Sequence, residues 1–189
     1  LAQGERTVED LAREASLSIA NASQHLQTLR AAQLVEVRRV GLYAYYRLGD
    51  ERVFRVWQAI RELGEARLAE IDRIVHTFLA NRAELEAINA EALVERMQSD
   101  SLVVLDVRPP EEYRAGHIPG ARSVPVSEVE SALKQIPPDH EVIAYCRGPY
   151  CVFSDEAVEL LKTHGYKARR LQGGLPDWRA AGLPVETST

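Results

Sequence analysis

Near Ile88 the hydrophobic pattern of the chain changes period, so one continuous core cannot serve the whole sequence. Before that point, short helical stripes lead into two alternating strands. After it, short apolar runs alternate with helical segments. A length of 189 residues leaves room for two small domains. With 46% apolar and 27% charged residues the composition is globular, not that of a disordered tail. No apolar run approaches the ~18 residues of a membrane-spanning helix, and no secretory segment opens the sequence. Two cysteines are too few for a disulfide-stapled secreted scaffold. A cytoplasmic protein with no membrane partner is therefore expected.

Thr7-Val8-Glu9-Asp10 has the form of a capping box, and predicts a helix from Val8 to Ala15. Ser16-Leu17-Ser18 reads as a turn, with Ser18 placed to cap a second helix from Ile19 to Ala32. On that helix Ala22, Leu26 and Leu29 form the apolar stripe. Ala20, Asn21, Ser23, Gln24 and Gln27 spread over the other side, which is small, amide-rich and nearly uncharged before Arg30. Short side chains of this kind let a helix enter a major groove and reach base edges. Two alternating strands flank Val40-Gly41-Leu42, and Arg38, Arg39 and Arg47 make this hairpin the basic spot of the first half. Helix, turn, helix and basic hairpin make a winged helix-turn-helix of mostly α, α+β class.

The net charge of −5 supplies no general attraction for nucleic acid, so DNA binding must come from this local surface. Only Lys134, Lys162 and Lys167 among the 23 basic residues are lysines, a bias that carries little weight.

Ser23-Gln24-His25-Leu26, Leu29-Arg30, Gln33-Leu34-Val35 and Tyr45-Tyr46-Arg47-Leu48 resemble the ArsR-type bacterial repressors over residues 1 to 80. The resemblance implies homodimers on operator DNA that release it when a metal or thiol effector arrives. It also implies a further helix ahead of Leu1, missing from this sequence. The cysteines with which the metal- and thiol-sensing members respond have no counterpart here, so the first half is expected to lack its own sensor.

Val53, Val56, Trp57, Ile60, Leu63, Ile71, Ile74, Val75 and Phe78 recur at helical spacing. So long a stripe in so small a domain is expected to pair with its copy in a second chain. Asp72 and His76 stand four apart, but with no second pair visible they read as solvated. No metal and no cofactor are expected. The expected organisation is a winged helix-turn-helix core at 1–50, a dimerisation and linker helix at 51–86, and a second domain at 87–189.

In the second half, strands are predicted at Leu102–Leu105, Glu141–Tyr145 and Ala168–Leu171, with helices at 90–97, 155–164 and 176–181. This alternation predicts an α/β domain with a central parallel sheet. Ligands in such sheets sit beyond the C-terminal strand ends. There, after Tyr145, lies Cys146-Arg147-Gly148-Pro149-Tyr150-Cys151-Val152, leading into a helix. A helix N-terminus favours a thiolate and an anionic ligand, and such positions lower a cysteine pKa to roughly 3.5–7.5. An inert buried cysteine is the plain alternative, disfavoured because both cysteines share this one loop.

Asp106-Val107-Arg108, Glu111-Glu112-Tyr113, Gly116-His117-Ile118-Pro119-Gly120-Ala121 and Gly173-Gly174 with Trp178 resemble a rhodanese domain through residues 87 to 186. The resemblance implies that Cys146 is the nucleophile that takes a sulfane sulfur from thiosulfate or a persulfide and passes it to a thiol acceptor. Asp106 and His117 read mainly as architectural. The loop is longer than in the usual sulfurtransferases, which is associated with tetrahedral anions such as phosphate or arsenate. Val152 stands where a phosphatase would carry Arg, which argues against that activity.

The leading expectation is a regulator whose Cys146 accepts sulfur and whose Cys151 resolves it, within an anion loop of Arg147, Gly148, Tyr150 and Val152 with Arg108 nearby. The expected partners are operator DNA, a second copy of the chain, a small sulfur donor and a thiol acceptor. A sulfurtransferase or arsenate-reducing thiol enzyme with an accessory winged helix, and a repressor with an inert second domain, stay open.

Overall fold

The computed structural model describes residues 1–68, 85–99 and 101–188. It divides into two compact units, Leu1–Gly64 and Glu65–Thr189.

In the first unit Arg6–Thr7 is β1, Val8–Glu14 is α1, Ile19–Ala31 is α2, Val35–Val40 is β2, Tyr43–Leu48 is β3 and Glu51–Arg67 is α3. Local chemistry sets the helix starts. The Thr7 hydroxyl accepts the Asp10 N–H at 3.2 Å and donates to its carboxylate at 2.9 Å, holding that carboxyl below its usual range. The Ser18 hydroxyl accepts the Asn21 N–H at 3.2 Å. Both helices end on a left-handed residue, Ser16 at φ 54° and Gln33 at φ 59°. The chain then folds back through Leu17 N–H to Ala12 C=O at 2.8 Å and Leu34 N–H to Leu29 C=O at 2.9 Å.

β2 and β3 pair antiparallel from Val35↔Leu48 to Val40↔Tyr43, and Gly41 at φ 58° opens the two-residue turn. β1, absent from the sequence reading, adds to the other edge of β3 through Arg6↔Tyr46 and Thr7↔Tyr45. Ala12, Ala22, Leu26 and Val35 are buried, whereas Leu29, expected on the same stripe, is 37% exposed. That stripe runs out of neighbours in the last turn of α2. No residue of α3 is buried. Ile71, Asp72, Ile74, Val75, His76 and Phe78 lie outside the described residues.

In the second unit Ala87–Ile88 is β4, Ala90–Arg96 is α4, Leu102–Asp106 is β5, Pro110–Ala115 is α5 and Arg122–Ser123 is β6. Val129–Ala132 is α6, Glu141–Cys146 is β7, Phe153–Thr163 is α7, Lys167–Gly174 is β8 and Leu175–Ala180 is α8. Every strand pairing is parallel, in the order β4-β8-β7-β5-β6.

Period two along the strands, with both faces buried, divides the core. Val103 and Leu105 of β5 and Val142, Ala144 and Cys146 of β7 join Ala157, Val158 and Leu161 of α7 in one cluster. Val104, Ile143 and Tyr145 point the other way, to Leu93, Leu175 and Trp178. Each fully buried Leu or Ile here contributes about 1.5–3 kcal/mol relative to an exposed one. Among the described residues no helix is long and apolar enough to cross a membrane.

Candidate thiol site and the helix-turn-helix surface

Cys146 ends β7, at the C-terminal edge of the sheet, and is buried on the α7 side. The β7–β8 register shifts between Ala144 and Cys146, so that Cys146 lies opposite Gly174. A Cβ at Gly174 would come within 2.4 Å of the Cys146 carbonyl oxygen and of the Gly148 nitrogen. Only glycine permits this backbone approach, which seats the first half of the loop against β8. Cys151 returns to Cys146 and the two are joined by a disulfide, with Cα atoms 6.5 Å apart. The loop turns through a Cys151 N–H to Gly148 C=O bond of 3.1 Å. Tyr150 and Val152 are the loop's exposed side chains, at 46% and 40%.

The two arginines expected to attract a donor are both engaged. Arg147 grips the buried Glu112 carboxylate with two nitrogens, Nη2–Oε1 at 2.6 Å and Nε–Oε1 at 3.0 Å. Arg108 has no exposed surface; it donates to Asp106 at 2.9 and 2.5 Å and to the Gly116 carbonyl at 2.7 Å. Burial pulls the Arg108 pKa down, but the hydrogen bonds and charge of Asp106 outweigh it and leave the guanidinium more firmly protonated than usual. Tyr145 donates to Asp106 at 2.6 Å and accepts the Ile118 N–H at 3.1 Å. Burial, then the Asp106 charge, push its phenol far above the ordinary range. Arg108 is thus a tie between β5, α5 and Gly116, and the expected donor-attracting role does not fit its position.

Sequence reasoning did not single out Asp177, and quoted Glu112 and Gly174 only among the residues that carry the rhodanese resemblance. Asp177 accepts the Gly174 N–H at 3.0 Å, and its carboxylate lies 3.7 Å from where a Cβ on Gly148 would stand. The first turn of α7 carries Asp155 and Glu156, and Asp155 lies 3.5 Å from Arg170 Nε of β8. His117 is buried against Tyr113, its ring stacked at 3.8 Å, and Nδ1 lies 2.9 Å from the Tyr113 carbonyl oxygen. Among the described residues no group of three or more His, Cys, Asp or Glu could hold a metal.

In the first unit Ala20, Asn21, Gln24 and Gln27 are exposed on α2, and Ser23 is half-buried. Two of the three wing arginines are tied to carboxylates, Arg38 to Glu5 at 2.6 Å and Arg47 to Glu36 at 2.7 Å. Arg38 holds the Glu5 carboxyl below its usual range, mainly through the hydrogen bond. Arg39 is exposed and has no such partner among the described residues.

A helix-turn-helix domain family matches residues 1–38, and a rhodanese-like domain family matches residues 89–181. Over 98% of this chain and 81% of the other, the sequence is 39% identical to the HTH-type transcriptional regulator Rv0324 of Mycobacterium tuberculosis. A sulfurtransferase of Allochromatium vinosum is 32% identical over 52% of this chain and 92% of its own. The crystal structure of the BH2092 protein from Bacillus halodurans superposes with a TM-score of 0.53, at 25% identity, over 61% of this chain and 85% of that one. Winged helix-turn-helix followed by rhodanese-like sheet is the class that fold and site define. The chain belongs to the family of HTH-type transcriptional regulators that span both domains.

Proposed function

We propose that the protein is an operator-binding repressor of the ArsR type, acting as a homodimer, whose rhodanese-like domain accepts sulfane sulfur at Cys146 and resolves it with Cys151. The observation that carries this reading is the bond between the chain's two cysteines, closed within one loop at the ligand end of the sheet. In the reduced protein, Cys146 thiolate attacks the outer sulfur of a donor. With thiosulfate, the donor S–S bond breaks, sulfite leaves and a Cys146 persulfide forms. Cys151 thiolate then attacks the Cys146 sulfur and expels the outer sulfur as sulfide, closing the disulfide. The dithiol loses two electrons and the sulfane sulfur gains them.

DNA contact falls to Ala20, Asn21, Ser23, Gln24 and Gln27 of α2 and to the wing arginines Arg38, Arg39 and Arg47. Dimerisation falls to α3, where Val56, Trp57, Ile60 and Leu63 are 48–65% exposed along one face. A catalytic sulfurtransferase is a second reading, supported by the likeness to the Allochromatium vinosum protein over the second unit.

The test is intact mass of the reduced protein after a sulfane-sulfur donor, followed by operator binding. One added sulfur that persists in Cys151→Ser, a disulfide in the parent and loss of operator binding on closure are expected. Operator binding unchanged by Cys146→Ser and by every donor would overturn the sensor reading. Sustained turnover with a small thiol acceptor would favour the enzyme.

A further inference from the structure

We infer that Leu42, at the tip of the β2–β3 hairpin, is an apolar wedge that enters the minor groove beside α2 and unstacks a pyrimidine–purine step there, kinking the DNA. The inference rests on the operator-binding role proposed above and names the kind of DNA site that the wing takes.

The end of the hairpin is apolar where its base is charged. Leu42 is fully exposed, and Val40 and Tyr43, paired across the last rung of the ladder, are 47% and 59% exposed. Nearer the base the exposed side chains are Glu36, Arg38, Arg39 and Arg47. A single exposed leucine needs no explanation, but three adjoining apolar side chains on a basic ribbon point to a contact. The turn itself stands clear of the fold: beyond its two chain neighbours, a Cβ at Gly41 would meet no atom of the described residues within 4 Å. Nor does the turn call for leucine, since a two-residue turn opened by glycine accepts most residues at its second position.

Charge and dimensions favour DNA as the partner. The guanidiniums behind the tip suit phosphates, and Arg39 has no carboxylate partner among the described residues. The minor groove, ~6 Å wide, is too narrow for a whole ribbon and admits only the end of one. A two-residue turn is the narrowest such end, and Leu42 is its protruding side chain. Arg39 stands two residues before Gly41, about 7 Å back at ~3.4 Å per residue. That setback is close to the groove's depth of ~7.5 Å. With Leu42 at the floor, Arg39 is level with the phosphates at the rim. Apolar side chains so placed slip between base pairs, and the steps that part most easily are TA and CA/TG.

The experiment uses the full chain and short duplexes recovered by repeated selection from a random pool. Dyes at the duplex ends read the bend, and 2-aminopurine placed in turn at each pyrimidine–purine step reads unstacking as brighter fluorescence. The parent is expected to select such a step at a fixed distance from the centre of its site, to brighten it and to bend the duplex by roughly 20–90°. Leu42→Ala is expected to lose most of the bend and the brightening and to relax the preference for that step. Its slope of log affinity against log salt should stay that of the parent, because no phosphate contact is lost. Leu42→Met should keep the bend. Position 42 is exposed, so neither variant disturbs the core.

Selected DNA that stays straight, or a bend unmoved by Leu42→Ala, would overturn the inference while leaving operator binding intact. A variant that bends DNA as the parent does but changes its self-association in sedimentation would overturn it too, and make the tip a protein contact. Failure of the parent to enrich any duplex would remove the operator-binding reading and this inference together.

Discussion

The two units use arginine in opposite ways. In the first, Arg38 and Arg47 lie on the surface, their side chains 58% and 60% exposed, each held by one glutamate. In the second, Arg108 is enclosed between Asp106 and Glu112, and Arg147 reaches the same Glu112 from the loop. Exposed pairs contribute about 0–1 kcal/mol and exchange partners readily. A buried carboxylate shared by two guanidiniums fixes the elements that carry them. The wing can therefore give its arginines to another partner, whereas β5, α5 and the Cys146 loop are locked to one geometry.

The sharpest way to break this contrast is to remove one glutamate from each unit. Glu112→Ala should lower unfolding free energy by about 1.5–3 kcal/mol, because Arg147 loses its two-point charged hydrogen bond to a buried partner. Glu36→Ala should change it by less than about 1 kcal/mol. Urea denaturation of both variants decides, and equal effects would erase the distinction.

A smaller effect separates the wing arginines on the proposed operator. Arg39→Ala should weaken binding and lower the slope of log affinity against log salt by about one phosphate contact. Arg38→Ala should do less, because that side chain must first leave Glu5. Titrations at several salt concentrations measure both slopes.

The smallest effect is on pH. The folded-state pKa of Glu5 lies below its usual carboxylate value, so its contribution is complete above that usual value and fades as pH falls through the lowered one. Glu5→Gln should therefore flatten part of the acid-side loss of stability in the first unit and leave neutral stability within about 0.5 kcal/mol. Acid titration followed by circular dichroism tests this.

Features written in neighbouring residues were legible in the sequence. Thr7 and Ser18 announce their helices because a hydroxyl needs only an amide three residues on. β5 and β7 are apolar runs buried on both faces, whereas β8 buries only Ala168, Leu171 and Gly174 among polar residues. The edge strands β4 and β6 are two residues each, too short to leave a pattern. Cys146 and Cys151 stood out because loop, strand end and spacing coincide. Glu112 did not, since its partner Arg147 lies 35 residues away and no local rule joins them. The arginines read as donor attractors proved to be spoken for, Arg147 by that distant glutamate and Arg108 by Asp106 only two residues away.

The close approach of Gly174 to the backbone of Cys146 and Gly148 makes the loop a hinge with one leaf screwed down. Its inner leaf cannot shift without disturbing the sheet. Making or breaking a bond at Cys151 must therefore be absorbed by the outer leaf, which carries Tyr150 and Val152 on the surface. A change of bonding at the buried sulfur would in this way reach the surface first at these two side chains.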